Sequence, residues 1–409
     1  MIDHSVTTIK KVTDKNIASP IGFSACGIHC GIKHKKKDLS LIYSEKPAAA
    51  AAVYTTNKIQ AAPLEVTKKS IETEGKLQAI LVNSGNANAC TGKIGLLNAY
   101  EMRQAVSERF QIDEHLVAVA STGVIGELLP MENILKGIEE LAPEATLQGS
   151  IDFSQAILTT DTVSKNTCYQ FQVDGKDVTI AGTAKGSGMV HPNMATMLAF
   201  ITTDAVISHE NLQAALKQIT DETFNSITID GDTSTNDMVI VMANGMAEHK
   251  ELTPEHPDFP VFIEALKMVS TDLAKAIASD GEGATKLIEV EVKGARSDEE
   301  ARKVAKTIVG SPLVKTAAFG CDANWGRIIC AIGYSGAQID PKTIDISIGK
   351  TPVLAASEIQ AYSEEEVTQY LKGNEIKIEV DLHLSTGKGK AWGCDLTYDY
   401  VHINGSYRT

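Results

Sequence analysis

Near the end of the chain, Ile376, Ile378, Val380, Leu382 and Leu384 alternate with Lys377, Glu379, Asp381 and His383. A helix cannot present a period of two to one core, so this run predicts a strand with one buried and one wet face. The loop "STGKGK" and a second strand from Trp392 onward follow. Upstream, strand-like runs at Asp38–Tyr43, Gln78–Asn83 and His115–Ser121 are interleaved with helical patterns at Leu96–Phe110 and Asn133–Leu141. The stretch "KNTCYQFQVDGKDVTIAGTAKG" predicts a hairpin turning at Asp174-Gly175. Further helices are expected around Glu210–Thr223 and over Phe259–Ile277, and Ser297 with Glu300 has capping-box spacing for another. Such interleaving disfavours a helical bundle and predicts an α/β architecture, mixed sheets with helices packed outside. At 409 residues the chain exceeds one small core. The best boundary falls in the loop before Thr196, which divides the chain almost in half. No internal repeat is present.

A net charge of −14 disfavours nucleic acid or an anionic membrane as a main partner. The seven cysteines are odd in number and scattered, as expected of buried thiols in a reducing compartment. The first residues contain no apolar signal core, and the longest aliphatic block, Ala48 to Val53, is far too short to span a bilayer. The expected location is cytoplasmic.

Several motif-like stretches fail on spacing. "GSGMVH" from Gly186 lacks the third glycine of a dinucleotide loop, and "GNANACTGKI" from Gly85 lacks the hydroxyl that should follow the phosphate-loop lysine. "DGDTSTNDMVIV" from Asp230 begins like a calcium loop but has Thr235 at the turn glycine and Val241 at the bidentate acid. "CGIHC" (Cys26, His29, Cys30) has only His34 as a close addition to a zinc set, and small core thiols beside a surface "HKKKD" run are the preferred reading. No metal is expected.

The stretch "AGTAKGSGMVHPNMATMLAFITTDA" passes from a glycine-rich loop into an apolar strand that opens on Thr196. A lone threonine there is ordinarily structural. Here Gly182, Gly186 and Gly188 permit unusual backbone angles, and Pro192 stiffens the approach. Such a loop can press the Ala195 carbonyl against the Thr196 hydroxyl. An N-to-O acyl shift followed by hydrolysis would leave Thr196 as a new N-terminus. Its freed α-amine, with a pKa of roughly 7.7–8.0, would serve as base for its own hydroxyl.

These residues resemble the cleavage signature of the ornithine acetyltransferase family, the glutamate N-acetyltransferases of arginine biosynthesis. "VNSGNANACTG", "ASTGVIGELLPM", "ILTTDT", "TIDGDTSTNDMV", "SDGEGATKLIEV", "FGCDANWGRI" and "YVHINGSYRT" resemble family segments in the same order, nearly end to end. The resemblance implies a self-cleaving α/β sandwich of the N-terminal-nucleophile type, with mixed sheets and two lobes. It implies an α fragment, residues 1–195, and a β fragment, residues 196–409, cut between Ala195 and Thr196, with two copies of each associating. Thr196 is then the nucleophile, and Thr122 and Gly123 form the oxyanion hole. Thr159, Lys185, Thr196, Glu282, Asn404 and Thr409 are the implied substrate contacts. The implied reaction is ping-pong transfer of acetyl from N-acetylornithine to glutamate, with no cofactor. Some members also accept acetyl from acetyl-coenzyme A. The nearest alternative is a self-cleaving aminopeptidase or amidase of the same architecture, with water as acceptor.

Overall fold

The computed structural model describes residues 8–191 and 197–406. They divide into two compact units: the first from within 1–186, 193–220 and 233–273, the second from within 187–192, 221–232 and 274–409.

The first unit is built on a nine-stranded mixed sheet. Its strands are β1 (Lys10–Lys11), β2 (Phe23–Ile28), β3 (Leu39–Tyr54), β4 (Lys76–Asn86), β5 (Val117–Val124), β6 (Lys165–Val173), β7 (Lys176–Lys185) and β8 (Leu198–Thr203). After β9 (Ile227–Thr228), which belongs to the second sheet, comes β10 (Met238–Ala243). The order is β1-β6-β7-β8-β10-β3-β4-β5, with β2 also paired to β3. The β8–β10 and β4–β5 pairs are parallel and the others antiparallel. The expected hairpin forms, and its turn residues Asp174 (φ 51°) and Gly175 (φ 74°) take the left-handed angles that a two-residue turn requires.

The alanine run from Ala48 continues β3, beyond a register shift between Tyr43 and Ala48. It is a strand despite its helical propensity because both faces are covered. Ala48, Ala50 and Ala52 pack with Ile80, Val82, Phe200, Ile240 and Phe153. Across β4 and β5, Ala79, Leu81, Val117 and Val119 meet Val66 of α1 (Ala62–Glu74), Met102 of α2 (Gly92–Phe110) and Ile134 of α3 (Met131–Glu140). Phe153 lies on α4 (Leu147–Ala156). The helix expected near Glu210 is α5 (His209–Glu222), and α6 spans Phe259–Ser279.

Strands β7 and β8 lie on opposite sides of position 196 in sequence, yet are antiparallel neighbours, Lys185 opposite Leu198. The loop between them therefore joins strands of one sheet, and the compact units do not follow the two sequence halves. Gly182 belongs to β7, not to the loop. A Cβ there would come within 2.8 Å of the Val269 and Leu273 side chains of α6.

The second unit carries a seven-stranded mixed sheet, ordered β14-β13-β12-β15-β11-β16-β9. Its further strands are β11 (Leu287–Ala295), β12 (Asp345–Ile348), β13 (Thr351–Ala355), β14 (Glu358–Ile359), β15 (Glu375–Asp381) and β16 (Gly387–Cys394). The helices are α7 (Asp298–Gly310), α8 (Pro312–Phe319), α9 (Trp325–Tyr334), α10 (Glu364–Leu371) and α11 (Tyr398–Gly405). Ile376, Ile378 and Val380 of β15 face one apolar core with Val304, Ile308, Ile332 and Val367. On the other face Lys377 pairs with Glu291 at 2.9 Å, and Lys390 reaches Glu291 at 3.3 Å. The alternating run therefore makes the half-buried strand it predicts, but only as far as Asp381, because His383 turns out at φ 53°. "STGKGK" is not a loop throughout, since β16 starts at Gly387. A Cβ at Gly387 would lie 2.4 Å from Ser297 backbone, and one at Gly389 2.6 Å from that of Arg302, so these glycines mark close backbone approach.

Among the described residues no helix is long and apolar enough to cross a membrane.

Candidate active site

In the first unit, Thr122 and Gly123 lie in β5 just before its last residue, Val124, with Thr122 buried and Gly123 at φ 135°. A Cβ on Gly123 would lie 2.2 Å from the Gly85 carbonyl carbon and 2.5 Å from the Asn86 nitrogen. Glycine is therefore required twice, by angle and by space. Strands β4 and β5 run parallel up to this point, and their register breaks at Gly85 and Asn86.

Buried carboxamides hold the break in shape. The Ser121 hydroxyl donates to Asn83 Oδ1 at 2.5 Å, and Asn83 Nδ2 donates to the Asn86 carbonyl at 2.9 Å. Asn86 Nδ2 donates to the carbonyls of Glu127 and Leu128, at 3.2 and 3.1 Å. Asn86 Oδ1 accepts from the Asn88 N–H at 2.8 Å, and Asn88 Nδ2 donates to the Gly95 carbonyl at 2.8 Å. "GNANAC" is thus a scaffold of satisfied amides, consistent with its failure as a phosphate loop.

Asp161 joins Thr159 to Gly186, the residue after Lys185. Its carboxylate accepts from the Thr159 N–H at 3.1 Å, the Gly186 N–H at 2.7 Å and Lys165 Nζ at 2.7 Å. Burial pushes the Asp161 carboxyl upward, but the Lys165 and Lys185 charges and these hydrogen bonds outweigh it and hold it below the usual range. Lys33 links this group to the end of β4 beside Thr122 and Gly123. Its stem borders Gly85, and its Nζ donates to the Leu158 carbonyl at 2.5 Å, next to Thr159. Burial lowers its pKa to about 8.

The stretch "HCGIKHKKKD" also finds its place. The buried Asp38 carboxylate accepts from the N–H groups of Cys30, Gly31, Ile32 and Lys33, at 2.7, 3.2, 2.8 and 2.8 Å. His29 Nδ1 contacts the Lys36 carbonyl at 2.8 Å. Burial pushes the Cys26 and Cys30 thiols up to about 11 and 12, opposite to what a thiolate ligand needs.

Sequence inspection gives no special weight to Asp237. It is buried directly before β10, with Oδ2 lacking a hydrogen-bond partner among the described residues, and burial raises its pKa well above normal against the pull of the Lys185 charge. Only the run of hydroxyl, amide and acid side chains before an apolar strand could have signalled it.

In the second unit, Glu282 is buried and holds Asn404. Asn404 Nδ2 donates to Glu282 Oε2 at 2.7 Å and to the Tyr400 carbonyl at 3.0 Å. The Glu282 N–H donates to the Ser187 carbonyl at 2.9 Å, and a Cβ on Gly188 would lie 2.4 Å from the Glu282 carboxylate. Glycine here makes room for an acid. The Ser187 hydroxyl donates to the Asp280 carbonyl at 2.6 Å, and Asp230 accepts from the N–H groups of Met189 and Val190, at 2.6 and 2.9 Å. The segment "GSGMV" is therefore tied down by backbone and carboxylate contacts, with the unusual angles expected of it at Gly186 (φ 156°) and Met189 (φ 56°). Asp230 Oδ1 also accepts from the Asp232 N–H at 3.2 Å, so both its oxygens are engaged with backbone. Burial and the Asp230, Glu282 and Asp232 charges raise the Tyr400 phenol above its ordinary pKa.

Thr196, Ala195 and Thr409 lie outside the described residues. A cleft of about 380 Å³ elsewhere in the second unit, lined by Asp322, Asn324, Trp325, Tyr362, Glu364 and Thr368, involves none of the expected site residues.

Fold and residues define a mixed α/β protein of two sheets, with a glycine-forced strand end in one unit and a buried Glu282 hydrogen-bonded to an exposed Asn404 in the other. Residues 24–409 match the ArgJ family. The arginine biosynthesis bifunctional protein ArgJ of Halalkalibacterium halodurans is 63% identical over 407 residues, covering 99% of each chain. The protein of that name from Geobacillus kaustophilus is 61% identical over 401 residues, 98% of each. Among solved structures, the ornithine acetyltransferase of Mycobacterium tuberculosis complexed with ornithine shares 35% identity, with a TM-score of 0.43 over 46% of this chain and all of its own. This chain belongs to the ArgJ family.

Proposed function

We propose that this protein is an acetyltransferase of arginine biosynthesis, moving acetyl from N-acetylornithine to glutamate through an ester on Thr196. The observation that carries this reading, beside family membership, is the Thr122–Gly123 strand end. It presents a hydroxyl and a backbone N–H at a backbone angle that only glycine adopts readily.

In this reading the chain cuts itself between Ala195 and Thr196, giving fragments 1–195 and 196–409 that stay together, two copies of each. Thr196 Oγ attacks the acetyl carbonyl, and its proton passes to its own α-amine. Negative charge gathers on the former carbonyl oxygen, where the Thr122 hydroxyl and the Gly123 N–H stabilise it. Collapse breaks the C–N bond, the leaving amine takes the proton, and ornithine departs. The glutamate amine then attacks the ester, and N-acetylglutamate leaves with Thr196 restored. Lys185 supplies a point charge for an α-carboxylate and Glu282 one for an ammonium, with Thr159, Asn404 and Thr409 as polar contacts. The scheme calls on no metal, nucleotide or flavin. Acetyl-coenzyme A as a second donor is a separate question, answered by assaying it directly with glutamate.

The test is intact mass under denaturing conditions, paired with Thr196→Ala. The expected result is two wild-type species that sum to the chain plus one water, and an uncut, inactive variant. A variant that is cut or active removes Thr196 as nucleophile. Parallel initial-rate lines are expected with two substrates, and intersecting lines exclude the covalent intermediate.

A further inference from the structure

Asn236 lies in "TIDGDTSTND", and no role described above uses it. Its side chain is buried, and its Nδ2 donates to two backbone carbonyls, Ala87 at 2.5 Å and Ser121 at 2.8 Å. Its Oδ1 accepts from the Thr235 hydroxyl at 2.5 Å. The orientation is dictated by chemistry: both carbonyls can only accept, so the NH₂ must face them.

The two carbonyls come from two different strand ends. Ala87 directly follows β4, and Ser121 directly precedes Thr122 in β5. One side chain therefore ties together the two segments that meet where Gly123 presses on Gly85. The tie is itself anchored, because β10 begins two residues later and all six of its residues are buried between β8 and β3.

The Ser121 carbonyl belongs to the peptide whose N–H is that of Thr122. Fixing that plane restricts the backbone of Thr122, and so the direction of its hydroxyl and of the Gly123 N–H beyond it. A neutral amide does this without placing a net charge beside a developing oxyanion. We propose that Asn236 is the positioning residue of the Thr122–Gly123 turn, holding the Ala87 and Ser121 carbonyls so that the turn's two donors converge on one oxygen. The inference rests on the oxyanion reading of that turn.

A merely structural Asn236 would satisfy two buried carbonyls and affect stability alone. The test uses full-length chains carrying Asn236→Ala, Thr235→Val, Thr122→Ala and the Thr122→Ala/Asn236→Ala pair. Cut fraction is read by mass, and turnover of N-acetylornithine with glutamate is expressed per cut chain. Loss of one oxyanion donor costs roughly 10²–10³ in kcat. Asn236→Ala should lower kcat roughly 10–100-fold with KM within about threefold, and should cost less in the Thr122→Ala background than in wild type, because only the Gly123 N–H is left to position. Thr235→Val, which only frees the carboxamide, should lower kcat a few-fold, and it carries the test if Asn236→Ala does not fold. Wild-type kcat in the Asn236 and Thr235 variants, or losses that multiply in full in the double variant, overturns the inference while leaving the oxyanion reading intact. Wild-type kcat in Thr122→Ala overturns that reading, and the inference with it.

Discussion

The Thr122–Gly123 strand end of the first unit and Glu282 of the second are held by opposite means. In the first, the Thr122–Gly123 turn is surrounded by neutral carboxamides, Asn83, Asn86, Asn88 and Asn236, whose hydrogen bonds go to backbone and hydroxyl groups. In the second, Glu282 keeps a carboxylate in a buried position, with a glycine cleared away in front of it and an amide holding one oxygen. A neutral network fixes direction and adds little field, which suits donors that must aim at a charge present only in a transition state. A buried carboxylate does the reverse: it costs desolvation and is worth keeping where a cation must be recognised. Geometry is what the network keeps at the Thr122–Gly123 strand end, and charge is what the surroundings of Glu282 keep.

Breaking the geometric side should have the largest effect. Gly123→Ala places a methyl 2.2 Å from the Gly85 carbonyl carbon at a positive φ, and backbone on both sides cannot yield cheaply. A loss of about 3 kcal/mol or more is expected, from strain plus overlap. Gly92→Ala is the matched comparison, since it has φ 60° but nothing within 4 Å, and strain alone should cost about 1 kcal/mol. Chemical denaturation of the two variants side by side checks this. Equal losses would mean that the strand ends relax apart and the turn is not rigid.

Breaking the charged side should leave folding almost untouched. Glu282→Gln preserves an acceptor for Asn404 Nδ2 and removes only the charge. With Glu282 recognising an ammonium, KM for N-acetylornithine should rise about tenfold or more, kcat should change less, and the thermal midpoint should hold. An unchanged KM would take Glu282 out of ligand recognition and leave it as the partner of Asn404.

How far these features were legible follows the same division. Periodicity gave β15 and the Asp174–Gly175 hairpin because a two-residue repeat and a left-handed turn are local properties. The Ser297 N-cap also forms, its hydroxyl accepting from the Glu300 N–H at 3.2 Å. The strand character of Gly387 and Gly389 was hidden, because it depends on how closely α7 packs over β16, a long-range fact. The turn residues Thr122 and Gly123 were reachable through family likeness. The amides that shape them were not, since a buried asparagine reads in sequence like any loop asparagine. Asp161 shows the point well. Within "ILTTDT" it looks like a surface acid, yet its side chain is buried with that of Lys165, their charges 2.7 Å apart. Lobes drawn at position 196 miss the compact units because β7 and β8 pair across it.

The smallest effect concerns the held segment before residue 192. His191 Nδ1 lies 2.9 Å from the Thr228 hydroxyl, and burial, with the Lys306 charge, lowers its pKa to about 4 while Asp230 pulls weakly the other way. The ordinary value is about 6.5, so the unfolded chain binds a proton before the folded one does. Stability from this residue is therefore complete above pH ~6.5, falls as pH drops toward about 4, and changes no further below that. The slope amounts to at most about one proton per chain, and partial exposure trims its energy. His191→Gln should flatten the acid limb of a stability-versus-pH curve between those two values and leave the neutral plateau nearly in place. An identical acid limb in the variant would assign it to other groups. A collapse of the neutral plateau would mean that His191 holds the segment by hydrogen bonding more than by staying uncharged, which would align this part of the second unit with the geometric logic of the first.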